Sequence, residues 1–167
     1  MKNTRKNILK NSCLILAFVF AVVFDGYAQK PNKKDQIKGM VAAKEYIFKA
    51  QVAIPQRGGT RYLTSEYDLK VSKDTITAFL PYFGRAFSAP MDPGKGGIKF
   101  TSTDFTYNSE NTKRGWEITI TPKDTRDADV RYLVLSISNG GYGTLRVISN
   151  NRDGISFSGN IVGLKER

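Results

Sequence analysis

Hydrophobic and polar residues alternate along most of this chain, with the period of two that is typical of half-buried β-strands. The alternation is clearest in residues 46–54 and 155–162. Segments rich in glycine, proline, asparagine and aspartate separate the alternating runs, as turns do. The pattern predicts strands over residues 46–54, 67–71, 75–80, 98–101, 105–107, 116–121, 130–138, 144–149 and 155–162.

Short connections between successive strands predict an all-β, mainly antiparallel fold. Such a meandering sheet avoids exposed edges by closing into a barrel or by folding into a sandwich. A meandering β-barrel is the first prediction, and a β-sandwich is the alternative. Gly159 lies on the apolar face of the last strand, where a missing side chain indicates a bend or close packing against the opposite wall.

A short helical pattern precedes the strands. Asp35 stands where the N-cap of this helix is expected. The preceding residues, 29–34, are polar and are predicted to form a flexible leader. A single β-rich domain is then predicted over residues 35–167. The apolar face of the helix is formed by Ile37, Met40 and Val41.

The first 28 residues have the pattern of an export signal. Positive charges precede an unbroken apolar run, residues 13–24, and small residues follow as far as Ala28. Signal peptidase cuts after such a site, so residues 1–28 are predicted to be a signal peptide and the mature chain to begin at Gln29. An uncleaved membrane anchor is the alternative, but a spanning helix needs ~20 apolar residues. The mature protein is predicted to be periplasmic or secreted, with no stable membrane span.

Composition narrows the chemistry that the exported domain can perform. The chain has no histidine, and its one cysteine, Cys13, lies in the predicted signal peptide. Disulfides, imidazole-dependent triads and zinc sites built from cysteine and histidine are therefore excluded from the mature domain. We expect no cofactor and no metal. The net charge of +11 comes from scattered lysine and arginine residues, which disfavours nucleic acid as a partner.

Carboxylates are the remaining candidates for catalysis or metal binding. Glu66 and Asp68 lie two residues apart on one strand, which suits a glycosidase pair only if both acids face a cleft. An apolar face lies on the other side of that strand, so a solvated outer surface is the stronger interpretation. Asp124, Asp127 and Asp129 could offer oxygens to calcium, but their spacing differs from that of a calcium-binding loop. Neither group is assigned a site.

The segment 80–87, Leu-Pro-Tyr-Phe-Gly-Arg-Ala-Phe, places three aromatic rings beside an arginine. At the mouth of a barrel, rings can line an apolar or sugar pocket, and a guanidinium can hold a carboxylate or a phosphate. A second arginine lies in the turn 150–154. The alternative is that the rings close the end of the barrel as part of its core. The candidate ligand-binding residues are Tyr82, Phe83, Arg85, Phe87 and Arg152.

Several segments together resemble the family catalogued as domain of unknown function 4251, a group of uncharacterised exported proteins of Bacteroidetes. The resemblance covers most of the mature chain, residues 37–161, and is carried mainly by the string Leu-Pro-Tyr-Phe-Gly-Arg-Ala at 80–86. It departs from the family pattern at 139–143, where Asn-Gly-Gly-Tyr-Gly replaces a tighter turn. The resemblance implies export and transfers no catalytic or binding residue. Other segments that carry it are 54–55, 67–69, 97–100, 149–152 and 155–157.

The sequence as a whole predicts a non-enzymatic protein of the periplasm or envelope. Its predicted partner is a small apolar or anionic ligand, or an envelope protein, bound near segment 80–87. Two alternatives stay open. A carboxylate-dependent hydrolase acting on envelope glycans would need two acids facing one cleft. A structural or assembly component would use exposed sheet edges to bind its partners.

Overall fold

Nine β-strands and one short α-helix form the part of the chain that the computed structural model describes, residues 32–87, 96–124 and 129–164. These residues belong to one compact unit, Asn32–Arg167. The predicted signal peptide lies outside the described residues, as does the first part of the predicted leader. No helix among the described residues is long and apolar enough to cross a membrane.

The helix, α1, spans Lys33–Ala43 and precedes every strand. The two runs in which the alternation is clearest, 46–54 and 155–162, form the first and the last strand. In chain order the strands are β1 (Tyr46–Pro55), β2 (Arg61–Val71), β3 (Ile76–Leu80), β4 (Ile98–Ser102), β5 (Phe105–Thr112), β6 (Gly115–Pro122), β7 (Val130–Ser138), β8 (Tyr142–Ser149) and β9 (Ile155–Gly163).

All nine strands pair in one antiparallel sheet, in the order β4-β3-β2-β1-β9-β8-β7-β6-β5. Because antiparallel neighbours alternate in direction, the two outermost strands, β4 and β5, run the same way. Thr103 and Asp104 alone separate them, so the chain passes from one edge of the sheet to the other without reversing. The sheet therefore curls into a nearly closed barrel, which confirms the first prediction rather than the sandwich.

Alternate residues of the strands point into the barrel and fill it. Tyr46, Phe48 and Phe157 are fully buried and belong to one cluster of core side chains. Burying one large apolar side chain contributes about 1.5–3 kcal/mol, so this interior is the main source of stability. Helix α1 covers one end of the barrel, where its residues Ile37 and Val41 join the core.

The antiparallel order gives the barrel two distinct ends. The helix end carries α1 and the connections that follow β2, β5 and β7. The loop end carries the connections that follow β1, β3, β6 and β8. Both segments that the sequence singled out, 80–87 and 150–154, belong to the loop end.

Helix α1 begins earlier than the sequence pattern predicts. Its N-cap is Asn32, whose side-chain oxygen accepts a hydrogen bond from the backbone N–H of Lys34 at 3.3 Å. The prediction that Asp35 caps the helix is therefore wrong. Asp35 lies in the first turn, where its negative charge interacts favourably with the positive end of the helix dipole. Lys33 and Lys34, assigned from the sequence to the leader, are helical.

Two strands are longer than their hydrophobic pattern. Strand β2 begins at Arg61, and β5 continues to Thr112, through residues that the sequence assigned to a connector. In β5 the residues after Tyr107 are exposed and polar, because this strand lies at an edge of the sheet. Backbone pairing with β6 continues there as far as Thr112 opposite Gly115, and backbone hydrogen bonds require no apolar side chain.

Gly159 lies where β9 crosses an irregularity in β1. The register of the β1–β9 pair shifts between Ala50 and Val52, so the two backbones approach closely. A Cβ atom on Gly159 would lie 1.9 Å from the carbonyl oxygen of Lys49. The glycine thus allows a β-bulge between paired strands, and the close contact is with the neighbouring strand β1 rather than with the opposite wall of the barrel.

Two tyrosines connect the helix to the barrel. The hydroxyl groups of Tyr46 in β1 and Tyr107 in β5 lie 3.2 Å apart, and the Tyr107 hydroxyl donates to the carbonyl of Val41 at 3.5 Å. The Lys44 ammonium lies 5.0 Å from the centre of the Tyr107 ring. Burial raises the pKa of Tyr46 far above its usual range, so its phenol is neutral at all ordinary pH values.

Candidate functional site

The segments 80–87 and 150–154, which are distant in the sequence, meet at the loop end. Ala86 and Arg152 form an antiparallel bridge. On either side of it, the backbone N–H of Asp153 donates to the carbonyl of Arg85 at 3.0 Å, and the N–H of Phe87 donates to the carbonyl of Asn151 at 2.8 Å. The structure therefore brings four of the five predicted site residues close to the turn that holds the fifth.

Tyr82 links the segments 80–87 and 150–154 at this junction through its hydroxyl group. Its hydroxyl donates toward two carbonyl oxygens, that of Arg85 at 2.8 Å and that of Asp153 at 3.1 Å. The guanidinium of Arg152 lies 5.2 Å from the centre of its ring. Burial raises the pKa of the Tyr82 phenol, and the Asp153 carboxylate raises it further, so the hydroxyl keeps its proton and remains a donor.

Replacing Tyr82 with phenylalanine should loosen the junction without disturbing the barrel. The variant leaves two carbonyl oxygens without their hydroxyl donor, which costs about 1–2 kcal/mol of unfolding free energy. Urea unfolding followed by circular dichroism measures this loss. A variant as stable as the original chain would show that the hydroxyl does not hold the two segments together.

Arg152 is enclosed by the loops that it joins. Its side chain is 10% exposed, and its Nη1 donates to the carbonyl of Gly97 at 3.3 Å. Its Nε lies 4.0 Å from a carboxylate oxygen of Asp129. Asp129 adopts a left-handed backbone conformation, with φ of 53°, and accepts hydrogen bonds from the backbone and side-chain nitrogens of Asn151. In this arrangement Arg152 positions the loop end, and its predicted contact with a ligand stays a prediction.

Two other arginines at the loop end lie over phenylalanine rings. The Arg61 guanidinium is 4.8 Å from the centre of the Phe83 ring, and that of Arg85 is 5.8 Å from the Phe87 ring. Within the described ranges, no carboxylate forms an ion pair with Arg61 or Arg85. Both arginines are exposed, so their hydrogen-bonding groups face solvent.

The three rings of the segment serve different purposes. Tyr82 and Phe83 pack against the hydrophobic core, as the interpretation of the rings as a closure of the barrel end requires. Phe87 is 63% exposed and contributes little to that closure. The exposed pair of Arg85 and Phe87 is therefore the part of the segment that is available to a ligand.

A family model and a solved structure both match most of this chain. The model of the family described as "Domain of unknown function (DUF4251)" matches residues 28–161. The chain belongs to the DUF4251 family. A crystal structure of a DUF4251 family protein from Bacteroides eggerthii DSM 20697 has the same fold, with a TM-score of 0.58 and 18% sequence identity. The match covers 81% of this chain and 90% of that one. No curated protein matches the chain.

An aromatic pair beside the site in this DUF4251 chain was not identified from the sequence. The rings of Tyr67 and Phe79 stack with centres 5.5 Å apart, and the Lys99 ammonium lies 4.8 Å from the Phe79 ring. Phe79 is opposite Lys99 in the β3–β4 register and faces outward. The sequence offers one signal for this pair, which is that Phe79 is an apolar residue at an outward position of a strand. That Lys99 is its neighbour depends on the β3–β4 register, which the sequence does not show.

The acids proposed as alternatives lie in different surroundings. Glu66 is exposed, and Asp68 lies on the outer face of β2 between Lys49 of β1 and Phe79 of β3. This placement agrees with the solvated surface expected for that pair, and DUF4251 membership adds no catalytic residue. At the loop end, Asp153 lies 3.9 Å from the Arg57 guanidinium.

Asp124 and Asp129 of the proposed calcium loop have separate partners. Asp124 accepts hydrogen bonds from the hydroxyl of Ser102 and from the backbone N–H groups of Thr103 and Asp104. These bonds, that of Ser102 first, hold the pKa of Asp124 below its usual value. Asp129 is engaged with the β8–β9 turn, and Asp127 lies outside the described residues. In the described part of this DUF4251 chain, no three acids are grouped as a metal site.

Proposed function

We propose that this DUF4251 chain is an exported, non-enzymatic binding protein of the periplasm or envelope, and that it holds an anionic ligand or partner group at the loop end. One observation carries the proposal. Arg61 and Arg85 are exposed, lie over phenylalanine rings, and have no carboxylate partner among the residues described. The export pattern of residues 1–28 supports the location.

The stacking of these arginines prepares them for binding. A guanidinium that lies over a ring keeps its edge free, and that edge donates two parallel hydrogen bonds to a carboxylate or phosphate. The ring also limits the rotamers of the arginine, so less side-chain entropy is lost when the ligand arrives. Phe87, which is exposed beside Arg85, offers apolar contact to the rest of the ligand. The expected ligand is an acidic group on a partly apolar or sugar-like framework.

Tyr82 and Arg152 hold the backbone of this site in place. The Tyr82 hydroxyl donates to the carbonyl of Arg85, and the backbone of Arg152 is bridged to that of Ala86. Rigid support of this kind keeps binding residues within the narrow range of positions that recognition requires. The barrel interior is filled by its own side chains, which favours a ligand on the surface over one inside the barrel.

Exchange of both exposed arginines tests the proposal. We expect the double variant Arg61→Gln/Arg85→Gln to bind polygalacturonate, a carboxylate probe, or polyphosphate, a phosphate probe, at least about tenfold more weakly, because each lost charge-assisted contact is worth about 1.5–3 kcal/mol. Isothermal titration calorimetry at two salt concentrations measures the affinity. The stronger probe identifies which acidic group the site prefers.

The double variant Arg114→Gln/Arg146→Gln is the matched control. Both of its arginines are exposed, Arg114 in the β5–β6 turn at the helix end and Arg146 on the outer face of β8, so it removes the same charge from other positions. Equal losses in the two double variants would mean that net charge alone attracts the probes. That result, or a failure of the original chain to bind either probe, would contradict the proposal.

A further inference from the structure

Tyr142 is an exposed aromatic residue at the helix end, far from the loop-end site. It begins β8, its side chain is on the outer face of the barrel, and the residue is 70% exposed. Its backbone N–H donates to the hydroxyl of Ser138 at 3.1 Å. The preceding Gly141 has φ of 83°, and a Cβ there would lie 3.2 Å from the side chain of Ile37 in α1. The turn is thus fixed against the helix, and it holds the ring in an exposed position.

Tyr142 separates two grooves of about 290 Å³ each. The groove on the helix side is lined by Lys33, Gln36 and Met40 of α1 and by Asn160 of β9. The Lys33 ammonium lies 6.0 Å from the centre of the Tyr142 ring. A ring that borders a groove on each side can contact ligand units in either groove. Its position is therefore suited to an elongated ligand.

The floor of the sheet-side groove is a row of hydroxyl groups. Ser136 of β7 pairs with Thr144 of β8, and Thr144 pairs with Ser158 of β9, so the three are adjacent across the sheet. Neighbouring strands are about 4.8 Å apart, so the hydroxyl groups recur at the scale of a sugar ring. Each hydroxyl can donate one hydrogen bond and accept two, as the hydroxyl groups of a carbohydrate also can.

Charges in the sheet-side groove balance each other. Arg114 and Glu117 both line it, and Glu117 lies opposite Ser136 in the β6–β7 register. A groove with one cation, one anion and a floor of hydroxyls has no net preference for an ionised ligand. Its chemistry differs from that of the loop end, where two arginines face solvent without a carboxylate partner among the described residues.

From these observations we infer a second binding site, in which Tyr142 stacks on a sugar ring of an uncharged oligosaccharide and the row of hydroxyls binds the adjacent unit. The apolar C–H face of a sugar ring covers the exposed ring of Tyr142, which removes apolar surface from water. The sugar hydroxyls exchange hydrogen bonds with Ser136, Thr144 and Ser158. The site is independent of the loop-end site, because the two lie at opposite ends of the barrel.

Affinity gel electrophoresis tests the inference with four neutral polysaccharides as probes: laminarin, mannan, xyloglucan and dextran. We expect at least one of them to retard the original chain. Replacing Tyr142 with alanine should weaken that binding about tenfold, whereas Tyr142→Phe should retain most of it, because the stacking surface remains. Thr144→Val should cause an intermediate loss, since it removes one hydroxyl and keeps the shape of the side chain.

Tyr62→Ala is the matched control, because Tyr62 is 85% exposed on β2 and does not line either groove. Tyr62→Ala should bind the polysaccharide as strongly as the original chain does. The loop-end variant Arg61→Gln/Arg85→Gln should also bind it as strongly, so a failure of the loop-end proposal can be told apart from a failure of this one. Thermal unfolding verifies that each variant is folded. The inference is overturned if none of the four polysaccharides retards the original chain, or if Tyr142→Ala binds as well as Tyr62→Ala.

Discussion

Replacing Gly159 with alanine is expected to destabilise the domain by about 3 kcal/mol or more. The added Cβ would lie 1.9 Å from the carbonyl oxygen of Lys49, a backbone atom that cannot turn aside. Relief of this overlap requires β9 to move away from β1, and that movement breaks hydrogen bonds where the sheet is irregular. Such a loss is a large part of the 5–15 kcal/mol that stabilises a typical domain.

Gly39→Ala is the control for this experiment. Gly39 is exposed in α1 and has no atom within 4 Å of the position of an added Cβ, so the same substitution should stabilise the chain there by about 0.5–1 kcal/mol. Both variants are compared by urea unfolding followed by circular dichroism. Equal stability of Gly159→Ala and the original chain would show that β9 tolerates a side chain at the bulge.

Stability should fall steeply as the pH rises above about 10, because Tyr46 is buried as a neutral phenol. The pKa of Tyr46 is raised in the folded protein, chiefly by burial, whereas in the unfolded chain the phenol ionises near its usual value of about 10. The contribution of Tyr46 is therefore fully present below pH 10 and is lost above it. The slope for this one group approaches about 1.4 kcal/mol per pH unit.

Tyr46→Phe separates this effect from the titration of other groups. At pH 7 the variant should be about 1 kcal/mol less stable, because the hydrogen bond to Tyr107 is lost. Above pH 10 its free energy of unfolding should fall less steeply than that of the original chain. Tyr62→Phe, at an exposed position, should keep the original slope. Parallel curves for Tyr46→Phe and the original chain between pH 9 and about 12 would contradict the argument.

The strands that bury one face were predictable from the sequence, because burial imposes alternation on their residues. Strand β7 has the predicted bounds, and β1 and β9 differ from prediction by one residue at one end. The first part of β2 and the second part of β5 could not be found in this way. Most of their side chains are exposed, with Leu63 as the exception in β2, so these strands are defined mainly by backbone pairing.

The sequence identified most residues of the candidate site but not their arrangement in space. The rings and arginine of segment 80–87 were conspicuous in the sequence, but their contact with Arg152 depends on which connections share an end of the barrel. Arg61 was not identified, because an arginine at the start of a polar strand resembles any other surface arginine. Its position over Phe83 results from long-range pairing, which local patterns do not encode.

The pairing of β1 with β9 also determines when this barrel can be completed. Strand β9 takes the central place in the sheet order, between β1 and β8, yet it is the last of the nine strands in the chain. On the ribosome, the first four strands can form only a partial sheet with an open edge at β1 until β9 emerges. An open edge of this kind is a template for aggregation. The barrel can therefore be completed only after β9 has been synthesised.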